Sequence, residues 1–258
     1  FKQKTAYDIS LGLVCSEMCI RDRMNKNRLV KQTRCALLLY IVAIFVAMPL
    51  YAGGTYAIKD IATFYNFCTN FLSDLGRTTS HSGDLNFFSS FLFNNAMVIF
   101  GIFYGRFIYH MTNYLNDIDQ NIASLAKIAS IIACFSTIGV ALTPADVDSL
   151  YLAHILFANN IFYFGCFGTA LFGYLFLKSN AIDNKYGWIL LFYSFATIGY
   201  ICVMWYGPKP FFVLADGSIS PSAHGVMVQA SAQKIIFLIG FFSNWMTVKA
   251  IGLLDNKV

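Results

Sequence analysis

Apolar residues along this chain come in long runs, not in alternation. Five runs are free or nearly free of charge: residues 35–58, 85–105, 128–145, 149–177 and 186–208. A sixth, centred on residues 235–248, is shorter, and a full span has to reach back to about Val226 and take in Gln229, Gln233 and Lys234. Crossing a hydrocarbon core takes roughly 20 apolar residues in helical form. Helices suit such runs because they satisfy their own backbone polar groups in lipid. The pattern predicts an all-α polytopic membrane bundle of six transmembrane helices.

The connections are uneven. Those between the second and third and the fourth and fifth runs are short. The first connection, residues 52–84, is long, as is the last, residues 207–224. Within the first, Ile61, Phe64, Phe67, Phe71, Leu72 and Leu75 recur at helical spacing. Asp60 suits a cap at its start and Gly76 a stop at its end, so a short interfacial helix is expected. In the last, Asp216-Gly217 lies between β-prone stretches and predicts a small hairpin. Ser220-Pro221 then opens the sixth helix, with Pro221 at its first helical position.

Composition agrees. Of 258 residues, 57% are hydrophobic, 17% aromatic and 12% charged. A soluble domain carries about 25% charged residues, so too few are present to cover a soluble globule, and a soluble enzyme, a disordered chain and a nucleic-acid binder are excluded.

Residues 5–23 read TAYDISLGLVCSEMCIRDR, a string that resembles the conceptual translation of a sequencing adaptor. Residues 1–23 are therefore set aside as a non-native segment, and residues 24–258 are taken as one transmembrane domain starting at Met24. The remainder keeps 14 Lys and Arg against ten acids, all Asp. With the amino terminus inside, ten of the basic residues fall inside and four outside. The positive-inside rule then places both termini in the cytoplasm. Five cysteines remain without a Cys-x-x-Cys spacing, and only Cys68 falls in an outside segment.

Small and polar residues mark the helix faces that meet protein, not lipid. Ser90, Asn94, Gly101 and Gly105 form such a stripe on the second helix. His154, Ala158, Gly165 and Thr169 form one on the fourth, and Gln229, Gln233, Gly240 and Asn244 one on the sixth. Lys234 is the most demanding residue. A cation at mid-bilayer costs about 3 kcal/mol on insertion scales. It has to snorkel, face a wet cavity, or pair with an aspartate such as Asp74 or Asp146.

Asp74, Arg77, Asp146, His154, His224 and Lys234 gather on the outer side in this topology. They are the candidate binding residues for a lipid headgroup or small polar molecule. No cofactor is expected. A rival reading is a zinc-dependent membrane lipid hydrolase using His81, His154 and His224, with Asp74 as acid and base. No His-x-x-x-His spacing supports it. Turn and cap chemistry at the fourth helix is the plainer role for Asp146 and Asp148. A structural or transport subunit is a further alternative, although no internal repeat is visible.

Ser73-Asp74-Leu75-Gly76 after the first helix, Asn94 early in the second, and Pro144 followed by His154 at the third corner carry a resemblance. The chain resembles the membrane proteins of domain-of-unknown-function family 998 over most of residues 24–258. The resemblance implies a six-helix membrane protein without a settled activity. Apart from it, the expected setting is a bacterial inner (plasma) membrane with both termini cytoplasmic, in contact with membrane lipids. A looser similarity runs to the alkaline-ceramidase and adiponectin-receptor superfamily, from whose seven-helix, three-histidine pattern this chain departs.

Overall fold

The computed structural model describes the backbone of residues 6–56 and 64–254, with side chains from residue 26 onward. Its helices are α1 (Ala6–Ala47), α2 (Phe87–Met111), α3 (Gln120–Leu142), α4 (Asp148–Lys178), α5 (Asn184–Tyr206) and α6 (Ala223–Leu253). The strands β1 (Phe211–Val213) and β2 (Ile219–Pro221) form an antiparallel hairpin between α5 and α6. Among the described residues six helical stretches of 22 to 31 residues are long and apolar enough to cross a membrane. The protein is a polytopic, all-helical membrane bundle.

Local chemistry sets the helix ends. Asp119, Asp183 and Ser222 accept hydrogen bonds from the backbone N–H of Ile122, Lys185 and Gly225, capping α3, α5 and α6. Pro221 stays in β2, so Ser222, not a leading proline, starts α6. The first apolar run is not one helix. Its span covers Lys26–Ala47, eleven residues short of the expected end. Pro49 follows, and Gly53 and Gly54 turn the chain with φ of 104° and 78°. At Gly54 a Cβ would sit 2.3 Å from the backbone nitrogen of Ser82, so the crossing of these two segments requires glycine.

The helices form a ring. Each packs on its neighbours in sequence, and α6 returns to pack on α1. Lys26 Nζ donates to the carbonyl of Leu254, so the start of the first span and the end of the last share one end of the bundle. A dense cluster that includes Phe107, Met111, Leu115, Phe172, Phe176 and Ile251 closes that end. A second cluster, including Ile44, Tyr51, Tyr65, Leu72, Leu75 and Phe93, lies toward the opposite end beneath the long first connection. Large apolar side chains such as Val42, Phe91, Phe135, Phe192 and Phe195 cover the outside of the ring, as a lipid-facing surface requires.

Glycine seams bring the helices close. A Cβ on Gly101 of α2 would lie 2.5 Å from Ile138 Cγ1 and 2.8 Å from the carbonyl oxygen of Cys134 on α3. Gly165 of α4 differs, for its nearest neighbour would be Ala133 Cβ at 3.9 Å. Gly101→Ala will therefore cost about 1–3 kcal/mol through overpacking. Gly165→Ala will change stability by no more than about 0.5 kcal/mol. Thermal unfolding of the two variants in detergent micelles measures the contrast.

Candidate functional site

The described part of the first connection from residue 64 onward folds into a plug at the open end of the ring. In place of a continuous amphipathic helix, residues 64–71 are irregular and a single 3-10 turn, Leu72–Gly76, follows. The expected cap Asp60 and first apolar position Ile61 lie outside the described residues. Asparagines account for the difference. Asn66 Oδ1 accepts from the N–H groups of Cys68 and Thr69, and Asn70 Oδ1 accepts from the N–H of Asn66. Side-chain bonds of this kind compete with the helical backbone ladder.

The plug goes deep. Lys234 and Gln233 lie about three turns below the start of α6, roughly 16 Å along its axis, and both bond to the plug. Gln233 Oε1 accepts from the N–H of Leu72 at 2.7 Å. Lys234 Nζ donates to the carbonyls of Asn70 and Ala230 and lies 5.4 Å from the ring centres of both Tyr65 and Phe67. From α2, Asn86 Nδ2 donates to the carbonyls of Leu75 and Arg77, Ser89 Oγ to that of Leu75, and Asn94 Nδ2 to that of Gly76. Irregular backbone at this depth is tolerated because protein groups satisfy it.

Asn70 is the hub and is fully buried, at 0% exposure. Its amide donates to the Gly54 carbonyl at 2.9 Å and to Asp74 Oδ2 at 3.1 Å. Asp74 also accepts from the N–H of Phe71, and its Oδ1 lies 3.2 Å from His81 Nε2. Burial, followed by the nearby Asp74 carboxylate, holds the phenols of Tyr51 and Tyr65 neutral far above the usual tyrosine range.

The six candidate residues divide accordingly. Asp74 and Lys234 meet through Asn70, not directly. Asp146 does not cap α4, whose start at Val147 has no side-chain cap. It reaches across to the plug instead, accepting from the N–H groups of Thr78 and Thr79 and from the Thr78 hydroxyl. His154 is buried and donates from Nδ1 to the carbonyl of Thr143 at 2.6 Å. Asp74, Arg77 and Asp146 are all within its electrostatic reach. Arg77 donates from Nε to the Thr79 carbonyl. His224 is exposed on the first turn of α6, and no hydrogen bond or ion pair joins it to the others among the described residues. The expected convergence of His81, His154 and His224 does not occur, because each is committed elsewhere or remote. Among the described residues no three His, Cys, Asp or Glu side chains are grouped so as to hold a metal ion.

Beneath the plug lies a partly open cavity of about 170 Å³. All six helices and the plug line it. Tyr40 comes from α1, Phe100 and Tyr104 from α2, Thr137 from α3, Gly165 from α4 and Tyr193 from α5. Gln233, Gly240 and Asn244 come from α6, and Leu72 and Ser73 from the plug. The stripes read from the fourth and sixth helices therefore face it, except His154, which bonds to the Thr143 carbonyl, and Gln229, which bonds to the Val203 and Pro208 carbonyls next to α5. On α2 the inward hydroxyl is Ser89, whereas Ser90 bonds back to its own helix at Phe87. Sequence reasoning missed Asn70 and the cavity tyrosines. Nothing in a charge-free run separates an inward tyrosine from one in a lipid-facing belt. No family model matches the chain, and no curated protein or solved structure matches it.

Burial raises the Asp146 carboxyl, but the Thr78 hydroxyl and the backbone N–H groups of Thr79 and Thr78 outweigh it and hold the carboxyl below the usual value of 3.8. A depressed folded value stabilises the protein fully above the ordinary aspartate range. The contribution fades as pH falls through the folded value. Asp146→Asn will lower stability at pH 7 by about 1 kcal/mol, a figure reduced for partial exposure. Its stability will then fall less steeply than that of the wild type between pH 5 and about pH 3, as unfolding midpoints across that range will record.

Proposed function

We propose that this protein binds a lipid or other amphiphilic molecule inside its helix ring, with the plug as the roof of the chamber. The observation that carries this reading is the cavity itself, lined from all six helices and by the plug. An apolar space left empty costs stability in proportion to its volume. Sites for small molecules are concave, mostly apolar and provided with a few polar groups, and this one fits that description.

The reading moves binding from the outer mouth to the chamber. Asp74, Asp146 and Lys234 spend their hydrogen bonds on seating the plug, so their part in binding is to position it, while His154 ties α4 to the Thr143 carbonyl at the corner beside it. Membership in domain-of-unknown-function family 998 belongs to this proposal. Of the residues that carry the resemblance, Asp74 and Gly76 lie in the plug, Pro144 and His154 at the corner against which it seats, and Asn94 on α2, where it donates to the Gly76 carbonyl.

Orientation belongs to the same proposal. We infer a bacterial plasma membrane, with the sealed end and both termini in the cytoplasm and the plug outside. The excess of Lys and Arg toward the sealed end supports it.

Two experiments test these statements. Gly165→Leu projects a side chain into the cavity from a position with room for it. Organic extracts of the purified wild type will contain a bound lipid at near one per chain, and extracts of Gly165→Leu will have lost it while the protein still folds. Equal lipid in both removes the chamber as the site. For orientation, Cys68 is exposed in the plug. A membrane-impermeant maleimide added to intact spheroplasts will label it, and Cys68→Ser will abolish the labelling. Labelling only after lysis inverts the topology.

A further inference from the structure

The cavity wall sorts charge by neighbouring positions. None of its lining residues is Asp, Glu, Lys, Arg or His. Ser73 lines the cavity, while the adjacent Asp74 faces Asn70, Phe71 and His81. Gln233 lines it, while the adjacent Lys234 is turned into the plug. The ionisable groups sit in the roof, and the chamber below is polar only through neutral groups.

Several of those neutral groups are already committed. Thr137 and Thr169 donate to carbonyls of their own helices, and Gln233 accepts from Leu72. Two buried hydroxyls are not. Tyr40 is 8% exposed and Ser130 7% exposed, and both line the cavity. Neither has a hydrogen-bond partner among the described residues. Neither oxygen is among the fully enclosed unpartnered polar atoms of the described residues, which are Arg34 Nε and Ser243 Oγ, so both hydroxyls keep a surface open to the chamber where a ligand atom can bond them. The Tyr40 ring is fixed by stacking on Phe100 at 4.5 Å and by edge contact with Phe237 at 5.8 Å. Phe100 in turn stacks on Tyr104 at 5.2 Å. The hydroxyl is thus held at the end of an aromatic stack facing the chamber.

We infer that the chamber takes an uncharged lipid whose polar end is a carbonyl or hydroxyl group, bonded by Tyr40 and Ser130. This rests on the chamber reading above. A hydroxyl donates and accepts, which suits either head. A phosphate or carboxylate would enter a wall with no cation to meet it, and its desolvation would go uncompensated. The aromatic stack favours a flat head such as a quinone ring, and the aliphatic lining suits an isoprenoid or acyl tail.

The test uses delipidated full-length protein in neutral detergent and follows thermal unfolding with three probes. These are dioleoylglycerol, decylubiquinone and dioleoylphosphatidate. The first and last share their tails and differ by one phosphate. The expected result is stabilisation by dioleoylglycerol or decylubiquinone and none by phosphatidate, and the larger shift names the head. Tyr40→Phe keeps the ring stack and will weaken apparent affinity about fivefold, as will Ser130→Ala, with the lipid-free unfolding temperature unchanged. Phosphatidate stabilising the wild type as much as dioleoylglycerol, but not Gly165→Leu, overturns the neutral class and leaves the chamber reading standing. No stabilisation by any probe overturns the class. Undiminished affinity in both Tyr40→Phe and Ser130→Ala overturns the role given to the hydroxyls.

Discussion

The seat of the Lys234 ammonium is the constraint on which the rest of the structure depends. At 1% exposure and three turns into α6, it cannot reach water. It is stabilised by the Asn70 and Ala230 carbonyls and the faces of Tyr65 and Phe67. Of these, all but Ala230 belong to the plug. The charge is thus solvated by a segment that is itself irregular and needs donors from elsewhere. Asn70 joins the two requirements, since its carbonyl receives the lysine while its side chain holds Gly54 and Asp74. Withdrawing the plug would strand a cation on one side and a set of unpaired carbonyls on the other. The two penalties act together, so the plug and α6 stabilise each other's position.

The same logic explains the placement of the polar residues of α2. Asn86, Ser89 and Asn94 recur along one face and each donates to a carbonyl of the segment from Leu75 to Arg77. In a soluble protein water could serve those carbonyls. At this depth only side chains can. Asp146 adds a third anchor, from the corner between α3 and α4, and binds Thr78 and Thr79. The plug is therefore tied to three separate parts of the ring, and the anchors leave the chamber wall below it free of charge.

Hydropathy alone made the helix ring legible because hydrocarbon imposes one length and one chemistry on every span. The stripes on α4 and α6 were legible for the same reason. Gly165, Thr169, Gly240 and Asn244 stand out where every other position can be apolar. The plug was not legible. Its apolar spacing suits a helix, but Asn66 and Asn70 redirect the backbone through local bonds whose competition with helix depends on what lies beneath. The end of α1 at Ala47 was hidden by an apolar run that continues past Pro49. Lys234 was marked as having to snorkel, face a wet cavity or pair with an aspartate. The partner proved to be a main-chain carbonyl, which a sequence cannot display. Tyr40 and Tyr104 were invisible as site residues, since tyrosine is equally at home in an interfacial belt.

Why the ring stays open around its centre follows from where its aromatic bulk is placed. Phe107, Phe172 and Phe176 fill the axis at the sealed end, where the helices meet with little space between them. One turn or more above, the same helices present Tyr104, Gly165 and Thr169, and the axis is no longer filled. The stack of Tyr40, Phe100 and Tyr104 lines the wall and props α1 against α2. Collapse of the chamber would require α4 to move inward, but Gly168 is already so close to Ser130 that a Cβ would lie 2.2 Å from its hydroxyl, and Gly139 is as tightly set against Phe157. The α3–α4 seam is thus packed to its limit on both sides of Gly165, while Gly165 itself faces room. A cavity bounded by contacts that cannot tighten persists because α3 and α4 have no closer packing open to them.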